Sequence, residues 1–170
     1  MNKGFTVFED RFKDEDISFT EGLDELGMIL LNEIGGSMGP IYGTIFMDMA
    51  EAGEDLDEIS AADFAEMLEA GLNGLYGIVD ARVGDKTLVD TLSPAVDVMK
   101  KAGETGQDFK EALAEMKAAA EAGRDSTKDM VAKYGRSSRL GERSRGVLDA
   151  GATSCCIILT AMEDGRMELL

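Results

Sequence analysis

Apolar residues recur three and four positions apart in every segment of this chain long enough to test, and sustained strand-like alternation is almost absent. That period gathers apolar side chains on one face of a helix, so the chain is constrained to an all-α fold. Only Pro40 and Pro94 punctuate it. Ser18-x-x-Glu21 is a capping-box pattern opening a helix to Ile34, with Leu23, Leu26, Leu30 and Ile34 along one face before Gly35-Gly36. Pro40 suits the first turn of a second helix, whose Ile41, Ile45 and Met49 form a stripe down to about Glu51. The acidic stretch Glu54 to Glu58 reads as a solvated loop.

A third helix starts near Ser60 with Asp63 in its first turn, and buries Phe64, Leu68, Leu72, Leu75 and Val79. Glycine is costly inside a helix, so Gly71, Gly74 and Gly77 read as permitting close contact with a neighbouring helix. After a loop through Val83 to Lys86, a fourth helix carries Leu88, Leu92, Ala95 and Met99. A fifth carries Phe109, Leu113, Met116 and Ala120, and a sixth is expected around Thr127 to Tyr134. The last, about Ala152 to Met162, is strongly apolar, with Asp149-Ala150-Gly151 as the turn before it. The 11 methionines sit mostly on these stripes, as adaptable core filler. With 170 residues, no linker and no repeat, the expectation is about seven helices in one domain, 1–170.

Composition narrows the chemistry. The net charge of −17 argues against nucleic acid, whose phosphates call for a cationic surface. No apolar run approaches the ~20 residues of a membrane span, and Met1-Asn2-Lys3-Gly4 has no signal-peptide core. Cys155 and Cys156 are adjacent and build no disulfide framework, which suits a reducing cytoplasm. The histidine count is 0, which removes Ser-His, Cys-His and His-ligated metal mechanisms together. Any metal site would have to be oxygen-rich, favouring Mg or Ca.

Three glycine-containing junctions carry polar groups. Gly35-Gly36-Ser37-Met38-Gly39-Pro40 exposes successive N–H groups before a helix start, where the dipole favours an anion; the other reading is an ordinary interhelical turn. Gly84-Asp85-Lys86-Thr87 offers a carboxylate, a cation and a hydroxyl in one turn, or simply caps a helix. Lys133, Arg136, Arg139, Arg143 and Arg145 form the one basic island of an acidic chain. Arginine forks match phosphate oxygens, and the alternative is a solvated loop balancing nearby acids.

In order along the chain stand Gly-Gly-Ser-x-Gly-Pro-x-Tyr-Gly, Gly-Asp-Lys-Thr, Gly-Arg-x-Ser-x-Leu-Gly-Glu-Arg-Ser and Asp-x-Gly-Ala-Thr-Ser. This series resembles the L subunit of dihydroxyacetone kinase, from Asn2-Lys3-Gly4-Phe5 to about Met162. The resemblance implies an antiparallel barrel of amphipathic helices, here with the family's first helix missing, and nucleotide held by loops at one end. It implies ADP or ATP contacts at Gly36, Ser37 and Met38 (phosphates), Leu88 (adenine), Arg143, and Asp149, Ala150 and Gly151. It further implies phosphoryl transfer to dihydroxyacetone or a similar small ketose held on a K-type partner subunit, with a phosphotransferase-system phosphocarrier or free ATP as donor.

The family pattern also includes Gly-Asp-x-Asp-His-Gly and an upstream acid, which hold two Mg ions. This chain begins immediately after that motif, at Met1-Asn2-Lys3-Gly4-Phe5, so the Mg ligands are absent from it. Asp14, Glu15 and Asp16 belong to the linker after Phe5 and are not assigned as ligands. The chain as written is therefore expected to lack kinase activity without that segment. The alternative is a metal-free relative acting as a regulatory or interaction domain. An apolar groove left by the missing helix is expected to favour homo-oligomers. Val147-Leu148-Asp149-Ala150-Gly151 also departs from the His-Asp-Pro pattern of many members.

Overall fold

Ser18 and Ser60 each stand one residue before a helix and close a capping box. Ser18 Oγ accepts the Glu21 N–H at 3.2 Å while Glu21 Oε2 accepts the Ser18 N–H at 2.8 Å. Ser60 and Asp63 repeat the exchange at 3.2 and 2.8 Å. Each box satisfies two donors that a helix start otherwise leaves without partners. The computed structural model of the chain describes residues 2–169, with side chains through residue 165. Met1 and Leu170, the bounds of the expected single domain, lie outside the described residues. The described residues are helical throughout their regular structure, with no strand among them. They form two compact units, Met1–Val79 and Asp80–Leu170.

The first unit contains α1 (Asn2–Phe12), α2 (Phe19–Glu33), α3 (Met38–Ala52) and α4 (Ala61–Ile78). Successive helices pack on one another. Leu23, Leu30, Tyr42, Phe46, Met49, Leu68 and Leu75 form its buried core. The expected close approach of α4 is present at two of its three glycines. At Gly71 a β carbon would lie 2.9 Å from the Ile45 carbonyl oxygen, and at Gly74 it would overlap the Asp48 carboxylate; Gly77 faces open space. Val79, expected in the core, is instead the half-buried residue that ends α4.

The second unit contains α5 (Val89–Thr105), α6 (Phe109–Ser126), short 3-10 segments at Thr127–Asp129 and Arg136–Ser144, and α7 (Ala150–Leu169). Gly106, at φ 66°, takes the left-handed conformation that ends α5, and Asp108 caps α6 by accepting the Glu111 N–H at 3.2 Å. Leu92, Val96 and Met99 of α5, Leu113 and Met116 of α6, and Ala152, Cys155 and Leu159 of α7 are buried. Lys117 reaches from α6 to Glu163 (3.1 Å) and Asp164 (3.4 Å) on α7.

Three boundaries differ from the sequence expectation. Residues 2–12 form a helix where the sequence reading expects none. The expected sixth helix is only the three-residue turn Thr127–Asp129, followed by extended chain. Its carbonyls are taken by a distant lysine, described below, in place of helical N–H groups. The last helix starts two residues earlier than expected and runs on past Met162, and its Ile157 is exposed. No helix among the described residues is long and apolar enough to cross a membrane.

Candidate functional site

The chemistry-bearing loops of the second unit are assembled around the turn from Ala81 to Leu88. Asp85 bends this turn by accepting the Arg82 N–H at 2.8 Å through Oδ2. Its other oxygen takes an ion pair from Lys133, whose own N–H donates to the Asp85 carbonyl at 3.2 Å. The Lys133 ammonium, followed by the Arg82 amide, holds the Asp85 carboxyl below the usual carboxylate range. Residue 133 of the basic island is thereby tied to the Gly-Asp-Lys-Thr turn.

Lys86 is the unexpected member. It is 2% exposed, and its Nζ donates to the carbonyls of Thr127 (2.7 Å), Met130 (3.3 Å) and Val147 (2.6 Å). Lysine is almost never fully buried without compensation, and here three peptide dipoles supply it. Lys86 also has φ 60°, a left-handed conformation costing an L-residue roughly 1 kcal/mol or more. Such a conformation persists only where its surroundings over-determine it.

Asp90, which the sequence did not single out, is 1% exposed. From the second position of α5 its carboxylate reaches back to accept the Gly84 N–H at 2.6 Å and the Thr87 N–H at 2.8 Å. Thr87 Oγ accepts the Val89 N–H at 3.2 Å, so the threonine hydroxyl caps the helix start. Gly84, with φ 96°, opens the turn.

Asp149 stands before α7. Its Oδ2 accepts the Ala152 N–H at 2.8 Å, and its own N–H donates to Thr127 Oγ at 3.0 Å. Burial raises the Asp149 pKa; the Ala152 and Gly151 amides and the Lys86 charge act against that rise, and the Asp90 charge adds to it. Gly151 passes close to Leu88: a β carbon would lie 3.4 Å from the Leu88 N. The structure thus brings Leu88, Asp149 and Gly151 together, with Ala150 as the exposed first residue of α7.

The basic island is not one group. Lys133 is committed to Asp85, while Arg145 donates to the Asp129 carbonyl and pairs with Glu142 at 3.2 Å. Arg136, Arg139 and Arg143 are exposed and have no ion-pair partner among the described residues. Arg143 is presented by the 3-10 stretch that Gly135 (φ 70°) and Gly141 (φ 54°) shape. Ser144 anchors that stretch from beneath: it is 1% exposed, its hydroxyl donates to the Gly141 carbonyl at 2.6 Å, and it accepts the Ala132 N–H at 2.9 Å.

In the first unit, Gly36 has φ 77° and Ser37 follows in the right-handed region before α3. A left-then-right pair of this kind makes a concave run of N–H groups suited to an anion. The Ser37 side chain is exposed and makes no capping bond to the helix, while Met38 is the first helical residue. Gly39 packs its backbone against the Ile34 and Leu30 carbonyls, which seats the start of α3 on the end of α2.

Comparison with known proteins gives these loops a context. Residues 1–164 match the DAK2 domain. The chain is 35% identical over 162 residues to the ADP-binding subunit DhaL of the PEP-dependent dihydroxyacetone kinase of Escherichia coli, covering 94% of this chain and 76% of that protein. It is 33% identical over 163 residues to the corresponding subunit of dihydroxyacetone kinase 1 of Listeria innocua, covering 95% of this chain and 76% of that one. Human triokinase/FMN cyclase is 29% identical over 140 residues, 82% of this chain and 24% of the human protein. A match over nearly the whole length, together with the ordered glycine-rich junctions, places this chain in the DAK2-domain family as a DhaL-type subunit.

Proposed function

We propose that this chain is the ADP-binding subunit of a dihydroxyacetone kinase, working in the cytoplasm. It would take part in phosphoryl transfer to a small ketose held on a K-type partner. The observation that carries this reading is its similarity, over 94% of its length, to an ADP-binding DhaL subunit. Names of the PEP-dependent and PTS-dependent kind among its relatives favour a phosphocarrier protein as donor. The continuous match over residues 1–164 supports treating 1–170 as one nucleotide-binding domain.

The proposed contacts follow from the local chemistry. On the first unit, Gly36, Ser37 and Met38 offer backbone N–H groups and a hydroxyl to phosphate oxygens. On the second, Arg143 offers an uncommitted guanidinium fork, which matches phosphate geometry. Leu88, which the resemblance sets near the base, has its side chain buried at 5% exposure, beside the Gly151 backbone. Asp149, Ala150 and Gly151 form a helix start whose carboxylate and backbone face the Leu88 segment.

Mg, which the family implies, does not find a carboxylate cluster here. Among the described residues no three His, Cys, Asp or Glu side chains come together as a metal site; Asp85 pairs with Lys133, and Asp90 and Asp149 accept backbone amides. The role proposed for this chain's residues, on its similarity to ADP-binding subunits, is to bind and orient the nucleotide. The test is isothermal titration with ADP, followed by phosphoryl transfer to dihydroxyacetone in the presence of a K-type subunit. Saturable, one-to-one ADP binding is expected; no binding at millimolar ADP would reject the reading.

A further inference from the structure

We propose that Lys86 is the positioning residue of the nucleotide-binding loops, a role that rests on the ADP-binding reading above. The sequence separations are the first argument. Lys86 Nζ draws in the carbonyls of residues 41, 44 and 61 positions further along the chain, so one buried cation fixes two separate segments. The first, 127–130, links α6 to the basic stretch. The second ends at Val147, two residues before Asp149.

The direction of those carbonyls is the second argument. All described peptide bonds are trans, and in a trans peptide the C=O and the following N–H point opposite ways. Each carbonyl drawn onto Lys86 therefore turns the next amide, at Lys128, Val131 or Leu148, away from the buried ammonium. Lys86 touches no nucleotide group itself; it sets which backbone donors face outward.

The third argument is charge. Asp149 N–H is held by Thr127 Oγ at 3.0 Å, and the Thr127 carbonyl is held by Lys86 at 2.7 Å. The same ammonium acts on the Asp149 carboxyl, favouring its ionised form, while Asp90 opposes it. Burial and the Ala152 and Gly151 amides act more strongly on that carboxyl, and Lys86 adds to them a charge that also fixes the segment carrying Asp149.

The experiment compares ADP titrations across pH for the full chain as wild type, Lys86→Met, Lys86→Arg and Lys117→Met. Lys117 clamps α6 to α7 away from these loops and controls for general destabilisation. Lys86→Met should weaken ADP binding by about tenfold or more, the scale of a lost charge-assisted network, and move the Asp149 inflection to higher pH. Lys86→Arg keeps the charge but cannot match a point-charge seat, so affinity falls while the inflection stays. Lys117→Met should bind as wild type. Hydrogen exchange on Lys86→Met should show lost protection over 127–130 and 147–149 with α5 and α6 unchanged. Wild-type affinity and inflection in Lys86→Met would overturn the proposal and leave the ADP reading standing. Wild type that fails to bind ADP would overturn the reading and the proposal with it. If Lys86→Met does not fold, Lys86→Arg decides: wild-type affinity there also overturns the proposal.

Discussion

The backbone of Gly123 on α6 lies directly against the main-chain carbonyl of Asp90 on α5, so closely that a β carbon would overlap that oxygen. Pro94 stands four residues after Asp90 within α5 and has no N–H to return to this carbonyl. Glycine is thus required where α6 meets a helix start already shaped by proline. Gly123→Ala should destabilise the chain by about 1–3 kcal/mol, because overpacking against rigid backbone outweighs the helix-propensity gain. Urea unfolding followed by circular dichroism measures it, and a neutral result would mean that α6 shifts freely.

Gly77→Ala should do the opposite. Gly77 is helical, exposed and faces open space, so only backbone entropy and propensity change. A gain of roughly 0.5–1 kcal/mol is expected, read as a rise in the urea midpoint. A loss would show that something does pack on that face.

The Asp85–Lys133 pair should leave a signature in the pH dependence of stability. Asp85 is held below its ordinary range, first by the Lys133 hydrogen bond and then by the Arg82 amide. Such a carboxylate contributes stability that is fully present above its unfolded pKa and lost as pH falls through the lower folded value. Lys133 is raised, first by its hydrogen bond to Asp85, and so contributes below its unfolded pKa and loses that contribution as pH rises through the folded one. Asp85→Asn should therefore be less stable than wild type at neutral pH, the gap narrowing as pH falls below about 4. Denaturant titrations at a series of pH values test this; a gap that persists at pH 2 would count against it.

Arg143→Ala should weaken ADP binding without changing stability, because the side chain is exposed and has no ion-pair partner among the described residues. Hydrogen bonds to charged groups contribute about 1.5–3 kcal/mol, so a loss of about 10- to 100-fold is expected. The contribution should shrink at high salt. Equal affinity in the two proteins would remove Arg143 from the nucleotide contacts.

The sequence makes the capped helices legible because capping is local: Ser18 with Glu21 and Ser60 with Asp63 declare both starts within four residues. The first helix is harder to read, although Phe5, Phe8 and Phe12 carry the three- and four-residue spacing, and the Phe8 and Phe12 rings lie 5.1 Å apart. That apolar face is short and no side-chain cap announces it. The expected helix at Thr127 to Tyr134 failed for a non-local reason, since the carbonyls of Thr127 and Met130 bond to Lys86. Nothing local to residues 127–134 encodes that bond. Gly-Asp-Lys-Thr was legible as a turn, but the burial of its lysine, and the return of Asp90 onto Gly84, depend on the folded turn. Arg143 stood out among five basic residues only through the family resemblance; the structure separates it from Lys133 and Arg145, which are already engaged.

Within the second unit, the Lys86 seat also sets an order of events during folding. Contacts between α5 and α6 close a short connection, and local contacts form early because little chain entropy is lost. The lysine must shed its water and gather carbonyls up to 61 residues away, a step with a larger entropy and desolvation cost. The helical pair is therefore expected to form first, and the loops to lock last. Pulsed hydrogen exchange during refolding would then show amides of α5 and α6 protected ahead of those at 127–130 and 147–149. A newly made chain would pass through a stage that is helical yet unable to hold a ligand, and competence would arrive with the dehydration of a single ammonium group.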